Sequence, residues 1–289
     1  MKNLSTFFLL FISFYSFSQL KTPPASPAAE IEQVVGLTEI EVDYNRPSRK
    51  GREIFGNLVP YGKLWRTGAN SSTKISFSTD VVIEGKTIEE GTYSIFSIPN
   101  EGNWDVILYS QAEVWGVPRD WDDSKIVFNS NFESVKYKDS YQLETFSISF
   151  KNVTNNDVDL VLSWGDIYVT VPISVPTREL VAAQIESLMG GEPKASDYYA
   201  AAVYYKEENM MLDQALVWMN KAMEMTENPR FFQLRQQSLI LAANGKYKDA
   251  IKVAKKSLEL SIQADNQDYV KMNNDSIKEW SNKLSLIHI

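Results

Sequence analysis

The chain of 289 residues contains no cysteine. That absence excludes disulfides, a thiol nucleophile, thiolate metal sites and a lipid-modified cysteine anchor together. Histidine is nearly absent as well: the chain has one, His288, in the penultimate position. Such a position frays readily and makes a poor seat for a catalytic base. Ser-His-Asp and Cys-His catalysis, histidine-ligated zinc and haem are therefore disfavoured. Positive charge is in deficit, with 29 Lys and Arg against 37 Asp and Glu, a formal charge of −8. An acidic chain is a poor general binder of nucleic acid, whose phosphates call for a positive surface. No glycine-rich phosphate loop follows a strand, so nucleotide binding has no support. No cofactor, no metal and no catalytic residue is expected.

What is present begins with MKNLSTFFLLFISFYSFSQ, Met1 to Gln19. Lys2 precedes an apolar run from Phe7 to Phe17, and small residues stand at Ser16 and Ser18. This is the pattern of a secretory signal peptide over residues 1–18, cleaved after Ser18. The run is shorter than the ~20 apolar residues that a spanning helix needs. The expected protein is periplasmic or secreted, and not membrane-spanning after cleavage. KTPPASPAA then reads as part of a Pro/Ala/Ser linker over residues 19–31.

Residues 32–175 have the texture of short strands. TFSISF sets Phe146, Ile148 and Phe150 on one face, and EIEVDY alternates Ile40, Val42 and Tyr44 with acids. VDLVLSWGDIYVTVPI reads as a hairpin turning at Gly165-Asp166. Val158, Leu160, Leu162 and Trp164 share a face on the way out; Ile167, Val169, Val171 and Ile173 share one on the way back. Turn signals stand at Glu84-Gly85, Glu90-Gly91 and Asn100-Glu101-Gly102. About nine strands at this spacing predict an antiparallel β-sandwich or jelly-roll-like domain.

After Pro176 the texture turns helical, and residues 176–289 read as an all-α helical-repeat domain. Thr177 caps a helix over Arg178–Met189, which Gly190-Gly191 ends. Two segments then align at a spacing of 35, with Ala215 set against Ala250. Over about residues 196–263 they resemble tetratricopeptide repeats, whose period is close to 34. The second copy carries Leu234, Gly245, Tyr247 and Ala250. The first keeps Tyr199, Ala215, Ala222 and Pro229 but has Met210 where Gly245 stands. Two copies are too few for a free-standing stack, so the flanking helices, the last over Asp268–Leu286, are expected to cap it.

The clearest local signal is a clustering of charge. Residues 19–176 hold 14 bases and 22 acids, and six of those bases fall between Arg46 and Arg66. They are Arg46, Arg49, Lys50, Arg52, Lys63 and Arg66, with Glu53 the one acid among them; the rest of the segment stands at 8 against 21. Arginine forks match carboxylate and phosphate. Trp65 beside Arg66 offers a stacking surface for a sugar or aromatic ligand. Two readings stand at this point. The bases pair with the acidic body around them, or they meet an anionic small molecule, a glycan or an acidic protein surface.

The run YNRPSRKGREIFGNLVPYGKLWRTGAN, followed by TKISFSTDVVIEGKTIEEGTYSIFSIP and WDVILYS, resembles the bacterial domain of unknown function 2911 family. The resemblance covers about residues 32–174. It implies an exported domain, commonly followed by helical repeats, and carries over no activity and no catalytic residue. Among the residues that match the family signature, Pro60, Gly62 and Gly68 suit turns, and Phe55 and Trp65 suit a core. The candidate ligand-binding residues are Arg46, Arg52, Arg66 and Asn70, with Trp65 beside them.

Asp120, Asp122 and Asp123 in PRDWDDSK lack the Gly and Glu positions of an EF-hand loop and read as a solvated turn. Glu39, Glu41 and Asp43 read as the wet side of a strand. The expected function is an exported binding or scaffolding protein. Its basic loop would take an anionic ligand or partner, and its helical repeats a protein or peptide. The alternative is a histidine-independent, glycosidase-like hydrolase acting on envelope glycans through a carboxylate pair near Trp65 or Trp115.

Overall fold

The computed structural model describes residue 20 and residues 22–138 and 141–287. The signal-peptide segment 1–18 and His288 lie outside the described residues. The chain divides after Arg178 into two compact units.

The first unit is β-rich and antiparallel. Its strands are β1 (Ala28–Val35), β2 (Thr38–Asn45), β3 (Thr73–Phe77), β4 (Val81–Ile83), β5 (Lys86–Ile88) and β6 (Gly91–Pro99). There follow β7 (Asn103–Tyr109), β8 (Ile126–Lys136), β9 (Leu143–Lys151), β10 (Asp157–Gly165) and β11 (Ile167–Ser174). They form one path in the order β1-β2-β3-β6-β7-β8-β11-β10-β9, with β4 and β5 as a small hairpin against β11. The antiparallel β domain is as expected, but one nearly closed, barrel-like sheet takes the place of two separate sheets. The reason lies in β8, which has 11 residues and serves both halves. Ile126–Glu133 pairs with β7, and Ser134–Lys136 passes over to β11. A long strand that changes partner turns a corner without breaking the ladder.

Closure at the other end uses Pro47 and Arg49, which belong to no strand, and a side chain of β2. Beyond β2, Pro47 O accepts from Phe146 N–H at 2.9 Å, and Arg49 N–H donates to Glu144 O at 2.8 Å. The Tyr44 hydroxyl accepts from Ile148 N–H at 3.2 Å and reaches Ile148 O at 3.4 Å. A side chain thus satisfies backbone groups of β9 that have no strand beside them. β1 starts at Ala28, inside the segment read as a linker, because Ala28–Glu30 pair in register with Asp43–Asn45.

The alternating patterns bury as their spacing predicts. Ile40, Val42 and Tyr44 are inside, as are Phe146 and Ile148, and Val158, Leu160, Leu162 and Trp164. The β10–β11 hairpin sets Trp164 opposite Ile167 across Gly165-Asp166, with Gly165 at φ +61°. The core centres on an aromatic cluster of Phe55, Trp65, Trp104, Phe146 and Trp164.

Six helices follow: α1 (Thr177–Met189), α2 (Ala195–Glu207), α3 (Leu212–Glu224), α4 (Phe231–Ala243), α5 (Tyr247–Gln263) and α6 (Gln267–Ile287). Their core holds Ala202, Ala215, Met219, Ile240, Ala250, Ala254 and Trp280. Three of the helix ends close in the same way. Asn209, Gly245 and Asp265 all have positive φ, and the next amide bonds back to Tyr205 O, Leu241 O and Ser261 O respectively. This is the Schellman closure of a helix C-terminus. The residue matching Gly245 is therefore Asn209, not Met210, and the first turn (208–211) is one residue longer than the second (244–246).

Candidate functional site

The basic segment leaves β2 at Arg46 and returns to the sheet at Thr73. It crosses the open part of the barrel wall, held at both sides by backbone pairing. Pro47–Arg49 lie along β9, and Trp65 exchanges both backbone bonds with Ser97 of β6, at 2.7 and 2.9 Å. Between these anchors Ile54, Phe55 and Val59 plug into the core, and the polar residues around them stay at the surface. A chain that must alternate inward plugs and outward bases at such short intervals needs tight turns. Lys50-Gly51 supplies one, with φ +49° and +74°.

The five candidate residues take four kinds of place. Arg46 is half-buried, and its Nε donates to Phe146 O at 3.0 Å, so it helps to close the barrel. Asn70 has φ +59°; its Nδ2 donates to Asn45 Oδ1 at 3.2 Å and its carbonyl accepts from Gly116 N–H. It joins loops and does not border a described cavity. Trp65 is 9 % exposed and belongs to the aromatic core, its ring stacked on Trp164. Arg52 and Arg66 alone of the three arginines come together on one cleft.

That cleft has a volume of about 370 Å³. Lys50, Arg52 and Arg66 stand around it, and Leu58, Val59, Trp65 and Trp164 form its apolar wall. No acid lines it, in a unit where acids outnumber bases. Arg52 is held by its own loop: Nε donates to Arg49 O at 2.8 Å and an Nη to Ser48 O at 2.6 Å. Arg66 has its Nε buried without a hydrogen-bond partner. Gly116 leaves room for its guanidinium, since a Cβ there would stand 3.1 Å from Nη1. Among the described residues, none of the six clustered bases forms an ion pair. Of the two readings of these bases, direct pairing with neighbouring acids finds no contact at ion-pair distance, although Glu144 accepts from the Lys50 amide and Glu53 and Asp166 share a cavity with Arg49 and Arg52. Lys50, Leu58 and Trp164 were not singled out by the sequence. Lys50 carried the same charge signal as its neighbours, but only the turn at Lys50-Gly51 brings it to the cleft.

Arg52 also lines a second cavity of about 420 Å³, with Arg49, Lys136, Glu53, Tyr61 and Asp166 at its wall. Here charges of both signs meet, and Lys136 Nζ is 3.8 Å from Asp166.

The acidic candidates are accounted for locally. Asp122 accepts from the Ser124 amide and hydroxyl at 3.0 and 2.7 Å, which holds its carboxyl below the usual range. Asp123 accepts from Trp121 Nε1 at 2.8 Å. On the outer face of β1 and β2, carboxylate oxygens of Glu30, Glu41 and Asp43 lie within 4.8 Å of one another. Partial burial, then Asp43 and Glu30, push the Glu41 carboxyl above its ordinary value. A raised acid binds its proton more tightly in the folded state, so stability falls as pH rises through that window and stays lower above it. Glu41→Gln is expected to raise the melting temperature at pH 7 and to have no effect at pH 3. Melting curves at the two pH values check this.

A family model described as "Protein of unknown function (DUF2911)" matches residues 26–173. The chain belongs to this family. The match begins just before β1 and ends within β11, so the DUF2911 region is the nearly closed sheet with its basic segment. Comparison with curated proteins and with solved structures gave no match. Among the described residues, no helix is long and apolar enough to cross a membrane.

Proposed function

We propose that this DUF2911 protein is an exported binding protein whose β unit holds an anionic ligand in the cleft of Lys50, Arg52 and Arg66. One observation carries the reading: three cations surround a 370 Å³ cleft that no acid lines, and none of them has an ion-pair partner among the described residues. Unpaired like charges held close together raise the local potential and favour a counter-ion. Arginine forks then offer a carboxylate or phosphate two donors each. Export to the periplasm or beyond rests on the segment 1–18, and with it the scaffolding role of the second unit.

That unit is read as a tetratricopeptide-like stack with a surface for a protein or peptide partner. Supporting this, Ala215 and Ala250 are both fully buried at a spacing of 35, and the turns before their helices close by the same bonding. A hydrolase finds less support. The cleft beside Trp65 holds no carboxylate, and the acids of the larger cavity stand among Arg49, Arg52 and Lys136.

The test is calorimetric titration of the protein and its Lys50→Gln variant with small carboxylates and phosphates. Lys50 is exposed and, among the described residues, its only hydrogen bond is made by the backbone amide, so the variant should melt as the parent does. A charge-assisted hydrogen bond contributes ~1.5–3 kcal/mol, so the variant should bind about tenfold or more weakly. Equal affinity in the two proteins, or no binding of any anion by either, would remove the cleft from consideration.

A further inference from the structure

We infer that the cleft selects an amphipathic anion: a carboxylate or phosphate head carried on an aliphatic or aromatic body. The inference rests on the reading of the cleft as an anion site and adds the class of ligand. It follows from what lines the wall besides the three cations.

The apolar side is made by Leu58, Val59, Trp65 and Trp164. Leu58 is 38 % exposed, a large aliphatic side chain left facing water beside two arginines. A ligand that covers it gains the transfer free energy of that surface, and each methylene buried is worth about fourfold in affinity. A bare inorganic anion gains none of this. It also fills little of the space, since a water molecule takes up about 30 Å³ and the cleft is about 370 Å³.

Sugars fit the wall poorly. The neutral polar side chains on it are those of Ser26 and Ser48, and the Ser48 hydroxyl is already bonded to Thr145 at 3.2 Å. Hydroxyls buried without partners each cost about 1–3 kcal/mol. Nor is there an open ring face for a sugar to stack on, because Trp65 and Trp164 are 9 % and 1 % exposed. The lining also takes in Ala25 and Ser26, whose segment is held where Arg46 N–H donates to Pro27 O at 2.9 Å. That segment adds the Ala25 methyl group and the Ser26 hydroxyl, and no charge. The lining therefore combines three cations with one exposed aliphatic side chain, Leu58, and few neutral polar partners.

The experiment titrates the full chain with octanoate and octyl phosphate below their micelle concentrations. Acetate, inorganic phosphate, glucuronate and octanol are run beside them, and all are repeated on Lys50→Gln and Leu58→Ser. Octanoate and octyl phosphate are expected to bind at least tenfold more tightly than acetate, inorganic phosphate and glucuronate, and than neutral octanol. Leu58→Ser should weaken octanoate threefold or more and leave inorganic phosphate unchanged; Lys50→Gln should weaken every anion. If all anions bind alike and Lys50→Gln weakens them together, the anion site stands and its selectivity for amphipathic ligands is overturned. Octanol binding as tightly as octanoate, or no anion binding at all, overturns both readings. Glucuronate as the tightest ligand would assign the cleft to acidic sugars instead.

Discussion

Trp65→Ala is expected to destabilise the β unit by about 3–5 kcal/mol, the range for removing a fully packed aromatic side chain. A domain commonly has ~5–15 kcal/mol in total, so the variant sits near the edge of folding. The packing explains the size of the loss. The ring stacks on Trp164 at 6.0 Å and 18°, and meets Phe55, Trp104 and Phe146 edge-on at 6.3, 5.9 and 5.3 Å. Its Nε1 donates to Gly68 O at 3.1 Å, so truncation also strands a buried carbonyl. Urea unfolding followed by fluorescence gives the number. Trp65→Phe should lose far less, because it keeps a ring in the cluster and gives up only the indole bond and some volume. A loss below ~1 kcal/mol for the alanine variant would mean that the cluster is not the core of the unit. The prediction also guards the functional reading, since ligand binding lost in Trp65→Ala is no evidence of stacking on a ligand.

Gly36→Ala should cost about 2–4 kcal/mol through two separate effects, crowding and backbone strain. Gly36 turns the chain between β1 and β2 at φ +57°, where an L-residue other than glycine is strained. A Cβ there would stand 1.9 Å from Thr177 Oγ1 and 2.2 Å from the backbone carbonyl of Asn155. The threonine could rotate away; the carbonyl could not without moving the β9–β10 turn. Comparison with Gly85→Ala separates the two effects. Gly85 is at φ +74° with nothing within 4 Å of its missing Cβ, so it reports the strain alone. If the two variants lose equal stability, close packing at Gly36 is not what sets its cost.

The positions Gly36 and Gly85 show how far local sequence reaches. Both look alike as turn glycines, and their difference arises from residues more than a hundred positions away, which no local pattern carries. The same holds for the helix ends. Alignment at a fixed spacing sets Met210 against Gly245, but the left-handed residue is Asn209, because the first turn has one residue more. Asparagine tolerates that conformation nearly as glycine does, and a one-residue insertion is invisible to a fixed-period comparison.

Among the candidate residues, charge type was legible and destination was not. Arg46, Arg52 and Arg66 are equivalent as sequence signals. One closes a barrel on Phe146 O, one is braced by its own loop beside a cleft, and one stands there with a buried, unbonded Nε. Lys50 joins them because Gly51 turns the chain, and Asn70 leaves because Asn45 and Gly116 hold it.

The sequence by itself determined the period-two burial of the strands, the hairpin at Gly165-Asp166, the passage from strands to helices at Thr177 and the place of the basic segment. These follow from near neighbours, through side-chain alternation and turn propensity; Thr177, expected to cap the first helix, is instead its first residue, with its hydroxyl buried and without a hydrogen-bond partner among the described residues. Only the tertiary structure decided that the sheet runs as one nearly closed path, that Tyr44 satisfies the backbone of β9, and that three bases share a cleft without an acid. Those depend on pairings between distant segments, where a strand's partner is set by the packing of the whole unit and not by its own residues.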